Sequence, residues 1–260
     1  PRLSVGSARP AVFRSSTYVF SSPEAAERAF AVAGGSAKAR EGEHVELIYS
    51  RINHPNAEIL EEQIVPLEKG AQAAAVFNSG MAATMTALAT FLRPGQSVIY
   101  TVPLYGGSQR FMHEFLEPFG MRTVPVAAGD GAALDAAIGA TPDLGAIFIE
   151  TPSNPTMVMT DIRRAANAAS RRALVVVDNT FLGPTFQHPL VLGADLVVYS
   201  ATKYLSGFSD MLAGVVLARD PALIQAVRAS RVMFGNILQP DECWMLDGRL
   251  PTVALRMNKQ

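Results

Sequence analysis

Short runs of almost entirely apolar residues constrain this chain more than any other feature. They are AAAVF at 73–77, SVIYT at 97–101, RTVPV at 122–126, AIFIE at 146–150, LVVVD at 174–178, LVVYS at 196–200 and AGVVLA at 213–218. Each has strand length, and the runs do not alternate apolar with polar as a strand with one wet face would. They predict strands covered by helices on both faces. Between them lie the helical patterns AEILEEQIVPLEKG, MAATMTALATFLRPG with a closing glycine, SQRFMHEFLEPFG, and DIRRAANAASRRA with an acidic start and a basic end. Strand alternating with helix predicts an α/β fold built on a mostly parallel central sheet of about seven strands. At 260 residues, 49% hydrophobic and 17% charged, the chain can bury such a core.

The opening segment reads differently. SSTYVFSSPEAAERAFAVAGGSAKAREGEH has no clear period and is rich in Ser, Gly and Ala, which predicts an arm or flexible loop outside the sheet. A net charge of −1 provides no field to attract nucleic acid or an anionic membrane, so neither is an expected partner, and any anion must be held at a local site. The expected partner is small. One cysteine, Cys243, excludes an internal disulfide, and PRLSVGSARP does not resemble a signal peptide. A cytoplasmic protein is expected. No apolar run approaches membrane-spanning length, and the start at Pro1 suggests a processed or trimmed N-terminus.

In open α/β sheets ligands sit beyond the carboxyl ends of strands, so the residues after each run matter most. AAAVF is followed by NSGMAAT, where Ser79, Gly80 and Met81 open a helix whose free N–H groups can hold a phosphate. Ser79 equally suits a plain N-cap. Tyr105 precedes two glycines in VPLYGGS; it is a rim residue, or a stacking face for a planar ligand. AIFIE enters TPSNPT, where turn chemistry alone accounts for Glu150 and Asn154. Asp178 closes LVVVD and needs a cation or several donors to stay ionised, which a structural or a functional pair can provide. SATKYLSGFSD then places Ser200, Thr202 and Lys203 just past an apolar run. A buried, unpaired lysine there is expensive.

Taken together these residues suit a flat cationic heteroaromatic ring bearing a phosphate and an aldehyde, namely pyridoxal 5′-phosphate. A lysine forms the Schiff base, a carboxylate pairs the ring nitrogen, and hydroxyls with helix N–H groups take the phosphate. Of the four lysines, Lys38 lies in the arm, Lys69 ends a helix and Lys259 adjoins the terminus, which leaves Lys203. No metal is expected.

IYSRINHPN, VFNSGMAA, PLYGGS, ETPSNPT, VVVDNTF and SATKYLSGFSD run in order over nearly the whole chain. In this set the sequence resembles the pyridoxal-phosphate transsulfuration enzymes of cysteine and methionine metabolism, which include cystathionine γ-synthase, cystathionine lyases, methionine γ-lyase and homoserine sulfhydrylases. The resemblance implies the large domain of a fold-type I pyridoxal-phosphate enzyme. It implies that Lys203 carries the cofactor and shuttles protons, Tyr105 stacks on the ring and assists as acid or base, Asp178 pairs the ring nitrogen, and Asn154 lies near the ring hydroxyl. Gly80, Met81, Ser200 and Thr202 would bind phosphate, with Ser79 beside them. Tyr49 and Arg51 would reach the phosphate of a neighbouring subunit, so a homodimer or homotetramer is expected. The implied organisation is an arm at 1–56 contacting that subunit, a cofactor-binding domain at 57–235, and the start of a linker at 236–260.

Departures from the family accompany the matches. Phe208 stands where histidine is usual, and His54, Pro55 and Asn56 replace Asn-Pro-Thr. The usual C-terminal small domain, with its arginine for the substrate carboxylate, is expected to be absent after LDGRLPTVALRM. The implied reaction is γ-replacement or γ-elimination on sulfur amino acids or activated homoserine. Gly107, where methionine lyases commonly have cysteine, leans toward the cystathionine γ-synthase type; methionine γ-lyase or homoserine sulfhydrylase is the alternative, and a truncated cofactor-binding protein with little catalysis is a further one. Another fold-type I enzyme, such as an aminotransferase, would lack the YSR, SGM and SATKY set, and a nicotinamide enzyme needs a glycine fingerprint that NSGMAAT does not provide.

Overall fold

A computed structural model describes residues 6–40 and 42–260. The strands are β1 (Ala73–Phe77), β2 (Ser97–Val102), β3 (Arg122–Ala127), β4 (Leu144–Glu150), β5 (Leu174–Asp178), β6 (Leu196–Tyr199) and β7 (Gly214–Ala218), within a residue or two of the apolar runs. They form one sheet in the order β1-β7-β6-β5-β4-β2-β3. β7 is antiparallel to both its neighbours, and every other pairing is parallel.

The described helices are α1 (Pro23–Ala33), α2 (Pro55–Ile64), α3 (Gly80–Phe91), α4 (Gly106–Phe111), α5 (Gly131–Ala140), α6 (Ile162–Ala169), α7 (Gly183–Phe186), α8 (Pro221–Phe234), α9 (Pro240–Asp247) and α10 (Val253–Lys259). Successive strand residues point to opposite faces, and both faces are apolar. Ala75, Phe77, Phe148, Val176 and Val198 face α3, α4 and α8. On the other side, Val76, Val197 and Val215 face α2, α9 and α10, while Ile147, Ile149 and Val177 face α5 and α6. Covered faces explain why the runs show no polar alternation.

Four segments add to the sequence expectation. α1 lies within the stretch expected to be an arm or flexible loop. Its signal is local: Ser22 Oγ accepts the Ala25 N–H at 3.1 Å, with Pro23 at the first helical position and Glu24 behind it. Pro10 and Arg14 are also fastened down, because Trp244 Nε1 donates to Pro10 O at 2.8 Å and Arg14 grips Asp241. α5 and α8 lie outside the four helical patterns, although each opens on an Asp side-chain cap, Asp130 and Asp220. Residues 236–260, expected to begin a linker, form α9 and α10, and Leu238, Cys243, Leu246, Val253 and Met257 are buried in the core beside α2.

His54, one of the departures from the family pattern, caps α2. Its Nδ1 accepts from Ala57 N at 3.2 Å while Nε2 donates to Leu238 O at 2.9 Å. Burial pushes its pKa down, which keeps the ring neutral and able to play both roles.

Candidate functional site

β2, β4, β5 and β6 end along one edge of the sheet, and β1 ends there too because β7 reverses direction between it and β6. The residues that follow these strands line a cleft of about 1250 Å³. Ser79, Gly80, Met81, Tyr105, Asn154, Asp178, Ser200, Thr202 and Lys203, all named from the sequence, meet in it.

The floor is the start of α3. Ser79 Oγ accepts the Ala82 N–H at 3.1 Å, so the plain N-cap is present, and its own O–H remains available to donate. The N–H groups of Gly80 and Met81 belong to the first helical turn and take no acceptor among the described residues. A Cβ on Gly80 would fall 2.6 Å from Ser200 Cβ, so only glycine lets the helix start lie against the end of β6. Thr202 Oγ1 is already engaged at both ends of the Ala213 peptide, donating to its O at 3.2 Å and accepting from its N at 3.0 Å. Ser200 Oγ has no such commitment among the described residues.

Asp178 and Glu150 are opposite one another in the β4–β5 register. Asp178 accepts the Thr180 N–H at 3.0 Å and has no ion-pair partner among the described residues. Burial pushes its carboxyl pKa up. Glu150 is pushed up to about 7, first by burial and then by the Asp178 charge. Two neighbouring carboxyls without a cation form a site that a cationic ring nitrogen would complete.

Lys203 lies in a turn past β6, its N–H donating to Ser200 O at 3.0 Å and its carbonyl accepting from Gly207 N at 2.7 Å. It is exposed to the cleft rather than buried, so the expense expected of a buried lysine does not arise. The cleft keeps the amine accessible to a ligand while the turn fixes its backbone. Residues of the C-terminal segment hold this turn: Arg256 donates to Tyr204 O at 2.5 Å and Leu205 O at 2.9 Å, and Arg249 binds both carboxylate oxygens of Asp210. Sequence reading missed both arginines, since nothing local in LDGRLPTVALRM points to a turn some fifty residues upstream. It also missed Thr180, whose Oγ1 accepts from Ser200 N at 2.8 Å and joins the ends of β5 and β6. The VVVDNTF motif contains that threonine beside Asp178.

Tyr105 is half exposed on the cleft wall. A Cβ on Gly107 would meet its ring at 2.5 Å, so glycine there is what lets the ring occupy this place. Tyr49 and Arg51 do not line the cleft. The Arg51 guanidinium donates to Val232 O at 2.6 Å and lies 5.4 Å from the Tyr49 ring centre, on an exposed surface.

The donor set fits pyridoxal 5′-phosphate. It offers an accessible lysine, a buried carboxyl without a cation, unpaired helix N–H groups beside a free hydroxyl, and an aromatic ring on the wall.

Comparison with known proteins agrees with this chemistry. Residues 2–260 match the family model described as Cys/Met metabolism PLP-dependent enzyme. The chain is 39% identical to an L-methionine gamma-lyase of Pseudomonas putida over 257 residues, covering 98% of this chain and 61% of that protein. It is 38% identical to a cystathionine gamma-synthase/O-acetylhomoserine (thiol)-lyase of Bacillus subtilis, covering 84% of this chain and 58% of that one. The fold matches a crystal structure of cystathionine gamma-lyase from Lactobacillus plantarum complexed with L-serine at a TM-score of 0.82 and 34% identity, covering 94% of this chain and 58% of that one. The chain thus spans about three fifths of the length of these relatives.

Proposed function

Since the chain belongs to the Cys/Met metabolism PLP-dependent enzyme family, we propose that its cleft holds pyridoxal 5′-phosphate and serves γ-replacement or γ-elimination on sulfur amino acids or activated homoserine. The cystathionine γ-synthase type is the leading reading, with methionine γ-lyase or homoserine sulfhydrylase chemistry the alternative. The observation that carries it is the convergence of Lys203, Asp178 and the unpaired N–H groups of Gly80 and Met81 on one cleft.

When bound, the cofactor supplies an electron sink for bonds at the substrate Cα. Asp178 holds its negative charge against the ring nitrogen. The Gly80 and Met81 N–H groups and the Ser200 hydroxyl would hold the phosphate, with Ser79 O–H beside them. Thr202 acts there through the hydrogen that its hydroxyl now directs to Ala213. The Tyr105 ring would cover one ring face and Asn154 would stand near the ring hydroxyl. The Lys203 amine would take the proton from the substrate Cα and return it, and the Tyr105 hydroxyl would assist at the leaving group.

Tyr49 and Arg51 serve the cleft of a second copy in a homodimer or homotetramer, with residues 1–56 as the contacting arm. The exposed, apolar Met233 and Phe234 beside the Arg51 anchor point support an interface there. A cytoplasmic location accompanies this reading. No described helix is long and apolar enough to cross a membrane.

The test supplies pyridoxal 5′-phosphate with cystathionine, methionine or O-acetylhomoserine, with and without a thiol. A 2-oxoacid and ammonia mark elimination, and a new thioether amino acid marks replacement. Transfer of the amino group to an added 2-oxoacid, with neither of those products, contradicts the proposal.

A further inference from the structure

We propose that Glu150 is a positioning residue that sets the Tyr105 and Asn154 turns against the bound cofactor, a role that rests on the cofactor reading of the cleft. Turn chemistry does not require a glutamate at this place, yet both its carboxylate oxygens are used. Oε2 accepts the Tyr105 N–H at 2.9 Å and Oε1 accepts the Asn154 N–H at 2.7 Å. The residue's own N–H donates to Thr101 Oγ1 on β2 at 3.2 Å. One side chain at the end of β4 therefore joins the turn after β2 to the turn after β4. These are the turns that carry the ring-stacking tyrosine and the asparagine assigned to the ring hydroxyl.

The chemistry demands a carboxylate. Two N–H donors converge on one group, and an ionised carboxylate accepts both through charge-assisted bonds. An amide of the same shape offers one acceptor and turns a donor toward the other N–H. The position is costly: Glu150 is 4% exposed and pairs with Asp178 in register. Asp178 on β5 is the one charged group among the described residues that acts on its proton affinity, and with burial it pushes the carboxyl up to about 7. A cation held at Asp178 removes that repulsion, so cofactor binding and the doubly accepting carboxylate favour each other.

Glu150→Gln tests the role in the full chain. Titration with pyridoxal 5′-phosphate is expected to show at least a tenfold rise in Kd. The visible circular dichroism of the bound cofactor, which reports ring orientation, is expected to fall by more than half. A residue that only stabilises the fold would lower the melting temperature and leave that band intact. Unchanged Kd and dichroism overturn the proposal, as does retention of both in Glu150→Asp, which is too short to reach both donors. A wild-type measurement needs no variant and no cofactor. Amide exchange at Tyr105 and Asn154 is expected to be at least tenfold slower than at Gly106, whose N–H has no acceptor among the described residues. Equal exchange overturns the clamp whatever the cofactor does, whereas a wild-type protein with slow exchange that fails to bind pyridoxal 5′-phosphate overturns the cofactor reading and, with it, the role proposed here.

Discussion

Asp178 shows how burial and function trade against each other at one residue. Without a cation its charge is unfavourable, because burial raises its pKa and the Thr180 N–H only partly opposes this. Asp178→Asn is therefore expected to make the cofactor-free protein more resistant to heat at pH 8. The same change weakens pyridoxal 5′-phosphate binding by about 1.5–3 kcal/mol, the worth of a charge-assisted hydrogen bond. Paired melting and titration measurements check both signs, and tight binding in the variant tells against the pairing with the ring nitrogen. Glu68 makes a second residue-scale case. It is buried against Tyr199, whose Oη donates to Oε2 at 2.5 Å, and burial pushes it up to about 7. A carboxyl with a raised folded pKa contributes its full stability below its ordinary value near 4.5 and loses it as pH rises through about 7. Wild-type stability is expected to decline over that window by an amount on the order of 1–3 kcal/mol from this group. Glu68→Gln flattens the decline, as pH-dependent denaturant unfolding will show. That Asp178 and Lys203 gather in the cleft was legible, because both follow apolar runs that end along one edge of the sheet. Glu150 and Glu68 were not, since each owes its character to partners distant in sequence, up to Tyr199 for Glu68.

At the scale of elements, the approach of α3 to the end of β6 decides whether the phosphate end of the site exists. Gly80→Ala places a methyl 2.6 Å from Ser200 Cβ, and one of the two segments must move. The expected result is a loss of about 1–3 kcal/mol of stability, as for other overpacked contacts, together with weaker binding of inorganic phosphate and of the cofactor. A variant as stable and as tightly binding as wild type would show that this contact is not needed. Every strand was legible, because a strand covered on both faces must be a short apolar run and turn residues bound each one. Several helices were not. α1 and α8 begin with a capping residue and a proline, signals that stand at single positions rather than along an apolar run. α9 and α10 were obscured because their burial comes from tertiary packing, α9 on α2 and α10 on α7, which periodicity over a few turns does not reveal.

For the whole molecule, Tyr49 and Arg51 lie away from the cleft, and the proposed shared site makes the subunit count the quantity to test. Arg51→Ala is expected to weaken cofactor retention by about 1.5–3 kcal/mol even though the residue lines no cleft of its own chain. Mixing that variant with Lys203→Ala is expected to rebuild, in some mixed dimers, one site with an intact lysine from one chain and an intact arginine from the other. Mixed dimers that retain no more cofactor than either parent contradict the shared site. The account as a whole stands on the identity of one amine. Treatment with pyridoxal 5′-phosphate and then borohydride, followed by peptide mapping, is expected to leave the reduced label on Lys203. Label on Lys38, Lys69 or Lys259 instead, or no stoichiometric label at all, would contradict it.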